Sequence, residues 1–337
     1  MRAMRGMKRS VVALTVVPLV LTVACANENS PSSDDAADYP TENIQIIVPF
    51  APGGATDTFA RIVADYASAN SDVQVQVVNK EGAGGVTGTN EVATSTNDGY
   101  TLVATAASST MYNFSTEQDV PYEPDDLTFL ARVSLSPLVL IVKADSPYQT
   151  AEDLMTAVAA DPASFRIGTS SLAGPSTFGI GDLLLAQGID PTDPKLVVLN
   201  SGATTVTSVA GGQVEFAAQL APEVQQLLEG GQIRGLAVSS EESVPSLKGV
   251  PTAAEAGIPE FDNASVSGLA GPADLPEPVI EFWEELLAEA VEDEQFLAKL
   301  NEIGSVPAFL GTEDYTAWND EQIEKSAELA VDLGVVE

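Results

Sequence analysis

The sequence predicts an α/β protein of two lobes built on mostly parallel sheets. Short β-branched runs alternate with helical patterns from residue 44 to residue 239, and two extended, small-residue segments fall where one half would hand over to the other. The chain has 337 residues and, even without its first 24, exceeds the usual size of one domain. Strands that alternate with helices at this spacing form parallel sheets through right-handed βαβ crossovers.

At the N-terminus, Arg2, Arg5, Lys8 and Arg9 precede an apolar run over residues 11–23, which closes on Val23-Ala24-Cys25. A charged start, a short apolar stretch and a small residue before the break make an export signal. The run is shorter than the roughly 20 apolar residues a membrane-spanning helix needs. Cys25 is the only cysteine, so no intramolecular disulfide can form. Directly after Ala24 it fits a lipobox, in which its sulfur carries diacylglycerol; the alternative is an ordinary small residue near a signal-peptidase cut. Residues 1–24 thus read as a lipoprotein signal peptide and residues 25–38, rich in Ser, Asn and Asp, as a disordered tether. An acyl anchor contributes about 0.8 kcal/mol per buried CH2, which places the chain outside the cytoplasm on the cell membrane.

From there the elements follow in order. Residues 44–50 are a near-continuous apolar run, as in a strand buried on both faces. The loop 51–56 leads into a helix over 57–69 with Phe59, Ala60, Ile62, Val63 and Tyr66 on one face. Strands are expected at 73–78 and 101–106, with a glycine-rich turn at 82–88 and a helix around 89–94 between them. The same grammar recurs with a helix over 151–160 capped by Thr150, strands at 165–169, 196–199, 214–219 and 233–239, and helices at 176–187, 204–210 and 222–229. The C-terminal part is helical at 277–292, 295–303 and 313–333, the last with Thr312 as its expected N-cap. Residues 131–137 (ARVSLSP) and 264–270 (ASVSGLA) read as a two-strand hinge. Lobe 1 is then discontinuous, residues 39–134 and 267–337, and lobe 2 is residues 135–266. No long tandem repeat is evident.

Charge and composition exclude several functions. The formal net charge is −35, and loss of the four basic residues of the signal makes it more negative still. Nucleic acid and anionic lipid surfaces are poor partners for such a chain. The acids are spread along the sequence, which suits a solubilising surface. Absence of histidine removes the commonest general base and the commonest metal ligand. Asp125-Asp126, Glu241-Glu242 and Glu284-Glu285 are sequence neighbours that read as solvated surface. Ser170-Ser171 has no histidine to activate it and no SxxK motif. No catalytic residue, metal site or cofactor is expected.

Two loops carry the candidate chemistry. Residues 49–57, PFAPGGATD, close a buried strand and open a helix, and residues 168–177, GTSSLAGPST, do the same later. Helix N-termini present unpaired N–H groups and a partial positive charge to an anion. Gly53 and Gly54 let the backbone approach a ligand; the second loop adds the hydroxyls of Thr169, Ser170, Ser171, Ser176 and Thr177. Facing each other across a cleft, the loops would clamp a small anion outside the carboxyl ends of the strands. Neither is a dinucleotide fingerprint. The run from Gly82 to Gly88 comes closer but lacks the strand and distal acid, and no GxxxxGK[ST] loop is present. The arginines after the signal are Arg61, Arg132, Arg166 and Arg234, none within either loop. A carboxylate is then held by backbone N–H groups, hydroxyls and water rather than a guanidinium. Asp57 reads as a cap of its own helix, and alternatively as a partner for an ammonium group or a bridging water.

Spaced motifs in one order extend this picture. They include YPTENIQIIVPFAPGGATDTFAR (39–61), VVNKEGAGGVTGTNEVA (77–93), VPYEPDDLTFLARV (120–133), PLVLIVKADSPYQTAEDL (137–154), GGQIRGLAVSS (230–240) and VPTAAEAGIPEF (250–261). In these the chain resembles the tripartite tricarboxylate transporter substrate-binding family, also called the Bug family. The resemblance implies a two-lobed type II periplasmic-binding-protein fold, a venus flytrap. It implies ligands that are mostly di- and tricarboxylates, with aromatic carboxylates and some amino acids in particular members. It also implies a monomer that works with one large and one small integral membrane subunit. Residues carried over as ligand-binding are Pro52, Gly53, Gly54 and Asp57 in the first loop. In the second they are Thr169, Ser170, Ser171, Gly174, Ser176 and Thr177, with Ser108, Ser109, Gln219, Ala221 and Pro222 lining the rest. The chain departs from the family where an aromatic often precedes the GLxxP stretch (here Val266 or Ser267) and at the VPYKG-like segment (here Val198-Leu199-Asn200-Ser201-Gly202). It departs again where a histidine is frequent after the second loop (here Phe178 lies nearby). The expected function is capture of a small carboxylate for a membrane transporter. The alternatives are a ligand-presenting component for a sensor kinase and, with less in its favour, an exported enzyme.

Overall fold

A computed structural model describes residues 38–116, 119–199 and 201–336. The signal peptide, Cys25 and all of the tether but Asp38 lie outside the described residues. The chain opens with β1 (Ile44–Val48), α1 (Ala55–Ala69), β2 (Val75–Asn79), α2 (Val86–Ala93) and β3 (Thr101–Thr105), then a π-helical turn over Ser108–Tyr112 that runs into α3 (Asn113–Ser115). A 17-residue strand, β4 (Leu127–Lys143), follows. Next come α4 (Ala151–Ala160), β5 (Arg166–Thr169), α5 (Pro175–Ala186), β6 (Lys195–Val198), α6 (Gly202–Ala210), β7 (Phe216–Leu220), α7 (Ala221–Glu229) and β8 (Ile233–Val238). The chain ends with β9 (Ala264–Pro272), α8 (Glu277–Ala290), α9 (Glu294–Glu302), β10 (Val306–Leu310) and α10 (Thr312–Asp332).

Two sheets share β4. The first runs β2-β1-β3-β9-β4 with β10 on β4's other side, and the second runs β6-β5-β7-β4-β8. In each, three parallel strands meet an antiparallel fourth, β9 in the first and β4 in the second. The lobes therefore repeat one topology without repeating a sequence. β9 follows β4 from the Leu127–Pro272 pair to the Pro137–Ala264 pair, with register shifts near residues 130 and 133. Beyond Pro137, β4 pairs with β7 and β8 instead. The expected extended hinge segments are thus parts of two longer, directly paired strands.

Burial explains the strand sequences. Ile44, Ile46 and Val48 of β1 enter a core with Phe59, Val63 and Trp283, while Ile47 enters the opposite core with Val103, Phe129 and Tyr315. That is why the run is apolar without alternation. The second sheet is covered in the same way on both faces. The Tyr39 hydroxyl donates to Gly99 O at 2.7 Å and accepts from Trp283 Nε1 at 2.8 Å, tying the start of the described chain to α8.

Thr150 caps α4 as expected, its Oγ1 accepting from Asp153 N at 3.0 Å while Asp153 Oδ2 accepts from Thr150 N at 3.0 Å. Thr312 does not cap α10: Gly311 holds the N-cap position, and Thr312 is the first helical residue. Its N–H donates to Glu284 Oε2 and its hydroxyl to Leu130 O, so a tertiary carboxylate serves this helix end. β10 is an element the sequence did not suggest. It contains Pro307, which is tolerated because the strand pairs on one side only. No helix among the described residues is long and apolar enough to cross a membrane.

Candidate ligand-binding cleft

Strand direction sets where the loops lie. β1 and β3 run parallel to the first half of β4, and β5 and β7 run antiparallel to its second half. The carboxyl ends of both sets of strands therefore point toward the crossing between the lobes. Thr105, the last residue of β3, is level through Gly268 with Arg132, and Leu220, the last of β7, pairs with Leu138. Residues 132 to 138 of β4 separate the two ends, roughly 20 Å at about 3.3 Å per residue. That width accommodates the loop tips and a small organic acid.

The first loop is organised by Asp57. The turn needs a left-handed residue, supplied by Gly53 at φ +83°, and Gly54 is the N-cap of α1 without a side-chain cap. The buried Asp57 carboxylate reaches back to accept from Gly53 N at 2.9 Å. It also accepts from Arg61 Nε at 3.0 Å, Arg61 Nη2 at 2.9 Å and Asn79 Nδ2 at 2.8 Å. Asn79 in turn donates to Phe50 O. Burial raises the carboxyl's pKa, but the bonds from Arg61, Gly53 and Asn79 together outweigh it and hold the group below the ordinary aspartate value. Asp57 thus does not cap its own helix, as the sequence suggested, but braces the loop ahead of it, and its acceptor capacity is filled. The N–H groups of Gly54, Ala55 and Thr56 have no partner among the described residues, and Pro52, Gly53 and Gly54 are exposed.

The second loop divides its hydroxyls between two tasks. Thr169 and Thr177 are buried with their Oγ1 atoms 2.6 Å apart, both directed at Ser171 O, at 3.1 and 2.6 Å. The buried Ser176 hydroxyl donates to Ala218 O and accepts from Gln219 Nε2. Thr169, Ser176, Thr177 and Gln219 therefore hold the loop in shape. Ser171 is exposed, Ser170 half-buried and Leu172 44% exposed at the tip. Gly174 is the buried N-cap of α5, and Pro175 at the first helical position leaves no N–H wasted.

The remaining expected residues scatter. Ser108 is half-buried at the start of the turn after β3. Ser109 is buried, its hydroxyl on Ala106 O and its carbonyl accepting from Tyr122. Ala221 is fully buried, and with Pro222 it abuts Gly304 of the α9–β10 connection, where a Cβ would meet Ala221 Cβ at 3.0 Å. These two make an interlobe contact. Sequence reasoning did not single out Tyr112 or Asn263, or Phe178 as more than a departure. The Tyr112 ring lies on Phe178, and its hydroxyl donates to Asn263 Oδ1 at 2.9 Å. Nor did it mark Glu223, on the first turn of α7, whose carboxyl burial pushes up to about 7.

Cavities of about 760 and 730 Å3 flank the crossing strands, both touching Leu135, Asp262 and Ala264. The first lies between α5 and α10 and includes Asp182, whose carboxyl burial pushes up to about 6. The second contains Arg132, whose guanidinium carbon sits 4.7 Å from the centroid of the Trp318 ring. Neither is lined by Pro52, Gly53, Gly54, Ser170 or Ser171.

Two sheets of one topology joined by paired crossing strands, with helix N-termini turned toward the crossing, define a two-lobed solute-binding protein. The periplasmic binding protein BugD shares the architecture, with a TM-score of 0.72 at 26% identity over 88% of this chain and 99% of BugD. The R. palustris protein Rpa4515, solved with adipate, matches with a TM-score of 0.77 at 26% identity over 88% of this chain and 99% of its own. Protein BugT of Bordetella pertussis is 27% identical over 314 residues, covering 93% of this chain and 95% of BugT. Residues 59–335 match the model of the tripartite tricarboxylate transporter family receptor. The chain belongs to that family, and it is an extracytoplasmic solute-binding receptor rather than an enzyme.

Proposed function

We propose that this receptor captures a small organic carboxylate between its lobes and hands it to a tripartite tricarboxylate-type transporter with one large and one small membrane subunit. The observation that carries this is the pair of uncapped helix starts at α1 and α5, each at the carboxyl end of a strand that points at the interlobe crossing. Adipate in Rpa4515 supports the ligand class. The proposed contacts are the free N–H groups of Gly54, Ala55 and Thr56, with Pro52 and Gly53 shaping the turn. Across the cleft they are Ser170, Ser171 and the start of α5 at Gly174, with Ser108 beside them. The lobes divide at residues 134/135 and 266/267, and the exchange of β4's partners a few residues further on, after the Pro137–Ala264 pair, supports a division in this stretch. Closure would bury the ligand by shifting an open–closed equilibrium. Cys25, lipidated, would keep the receptor at the membrane beside its transporter.

A thermal-shift screen of the processed chain against carboxylates, amino acids and sugars tests this. Ligand at a hundredfold over Kd stabilises the folded state by about 2.7 kcal/mol. Gly54→Trp is the control: Gly54 has an ordinary negative φ, and a Cβ there meets only Ala51 O at 3.6 Å, so the bulk enters the cleft without straining the fold. A rise in Tm with a carboxylate, lost in the control, is expected. A rise with a sugar and with no carboxylate would overturn the proposal.

A further inference from the structure

The chain has 49 acidic residues against 14 basic ones, yet one arginine has no acid beside it among the described residues. Arg61 and Arg166 are paired with Asp57 and Glu215, and Arg234 donates to the carbonyls of Ala144, Ser146 and Tyr148. Arg132, half-buried on β4, is held in a fixed pose instead. Its Nε donates to Ala308 O at 2.8 Å, and its guanidinium lies 4.7 Å from the centroid of the Trp318 ring. Neither of its terminal nitrogens has a partner among the described residues. The side chain lines the cavity of about 730 Å3 beside the crossing strands. The same cavity is lined by Glu241 and Glu242, in the loop after β8, and by Asp262, two residues before β9. All three are exposed, and none of their carboxylates has an ion-pair partner among the described residues. Ser239, at the start of that loop, donates to Leu138 O. The arginine and the acids therefore stand at opposite ends of the stretch of β4 from residue 132 to residue 138, roughly 20 Å apart along the backbone at about 3.3 Å per residue.

We infer that this cavity is a second ligand site, and that it takes an ω-amino acid with its carboxylate on Arg132 and its ammonium among Glu241, Glu242 and Asp262. A guanidinium with one face covered by an aromatic ring and its Nε anchored presents its terminal nitrogens as a fork, the shape a carboxylate matches. Its pose is fixed before any ligand arrives, which lowers the entropic cost of binding. A plain anion would meet the acids at the far end, and a plain cation would meet the guanidinium. A molecule with one charge of each sign satisfies both. Side chains reaching in from the two ends leave space for a short methylene chain, and Leu135 and Pro137 give it an apolar wall. Arg132 lies where β4 pairs with β9 and β10 of the first sheet, and the acids lie beyond the end of β8 in the second, so an occupant spans the crossing. Neither Gly53, Gly54, Ser170 nor Ser171 lines this cavity, which sets it apart from the cleft between the two loops.

Titration calorimetry at neutral pH and low salt, on the processed chain carrying Gly54→Trp, tests this site with the loop cleft blocked. The probes are 6-aminohexanoate, hexanoate and hexylamine, together with their four- and eight-carbon counterparts. The expected result is that at one chain length the amino acid binds about tenfold or more tighter than both the plain acid and the plain amine. Arg132→Gln should bring the amino acid down to the level of the amine. Arg132→Lys, which keeps the charge but loses the fork, should weaken it by less. Glu241→Gln with Glu242→Gln should bring it down toward the plain acid, and because both residues are exposed this variant leaves the core untouched. Circular dichroism and Tm establish that each variant folds. Binding of no amino acid, a plain acid that outranks the amino acids at every length, or affinities unchanged by both the arginine and the glutamate substitutions would overturn the inference. Each of these outcomes leaves the loop cleft standing, since that cleft is judged by the wild-type chain against Gly54→Trp.

Discussion

Tyr112 and Phe178 stack nearly face to face, with centroids 4.3 Å apart and planes 16° from parallel, although one follows β3 of the first sheet and the other sits on α5 behind the second. This is a direct apolar joint between the lobes, and the Tyr112–Asn263 hydrogen bond anchors it to the residue before β9. Phe178 is fully buried. Phe178→Ala is expected to destabilise the protein by about 3–5 kcal/mol and to enlarge the ligand-free radius of gyration in small-angle scattering. Phe178→Leu should preserve most of both. A destabilised variant with unchanged dimensions would mean the stack is a packing contact without influence on opening.

Asp57→Ala removes the acceptor that positions Gly53 and leaves Arg61 and Asn79 without their partner. Ligand affinity should fall by about tenfold or more, as expected when a hydrogen-bonded charge pair is broken. Because Asp57's folded pKa lies below its unfolded value near 3.8, its stabilising contribution is present above that value and disappears as pH falls through the folded one. The Tm difference between wild type and Asp57→Asn should be flat from pH 8 to pH 5 and shrink below about pH 4.

Glu223 has the opposite sign. Burial raises its pKa from 4.5 to about 7, so its relative contribution is most favourable below about pH 4.5 and is lost as pH rises through about 7. Melting curves between pH 5 and pH 8 should therefore show Glu223→Gln gaining on wild type as pH rises. Parallel curves would mean that the carboxyl is well solvated.

Cys25→Ser should release the exported receptor from the membrane fraction into the soluble extracytoplasmic fraction without altering its Tm or its ligand affinity. Retention on the membrane would refute lipidation at this cysteine.

Much of the frame was legible because burial leaves a period in the sequence. The apolar run of β1, the helical face of α1 and the capping box of Thr150 and Asp153 follow from local chemistry alone. The shared topology of the lobes was not legible, since hydrogen-bond partners of β4 and β9 lie more than a hundred residues apart and leave no repeated motif. In the cleft, both loops could be found, but not the allocation of their hydroxyls. Thr169, Ser176 and Thr177 turn inward onto Ser171 O and Ala218 O, and residue type alone gives no direction. One missed signal was present: Asp57 and Arg61 are four apart on a helix, the spacing of an ion pair. It accounts for the missing free cation at the first loop. Glu223 looked like an ordinary helix-start acid, and its burial against Gly202 depends on the packing of α6 beside α7.

The threading of β4 through both sheets also orders assembly in time. Every strand of the second sheet lies between residues 127 and 238, so that sheet can close while later parts of the chain are still emerging on the far side of the membrane. The first sheet must wait for β9 and β10 from the last quarter of the polypeptide, inserted beside strands made long before. Until they arrive, β3 and the first half of β4 stand as open edges, which neighbouring chains could occupy. A receptor released early from translocation, or truncated before residue 264, would carry one finished half and one adhesive one.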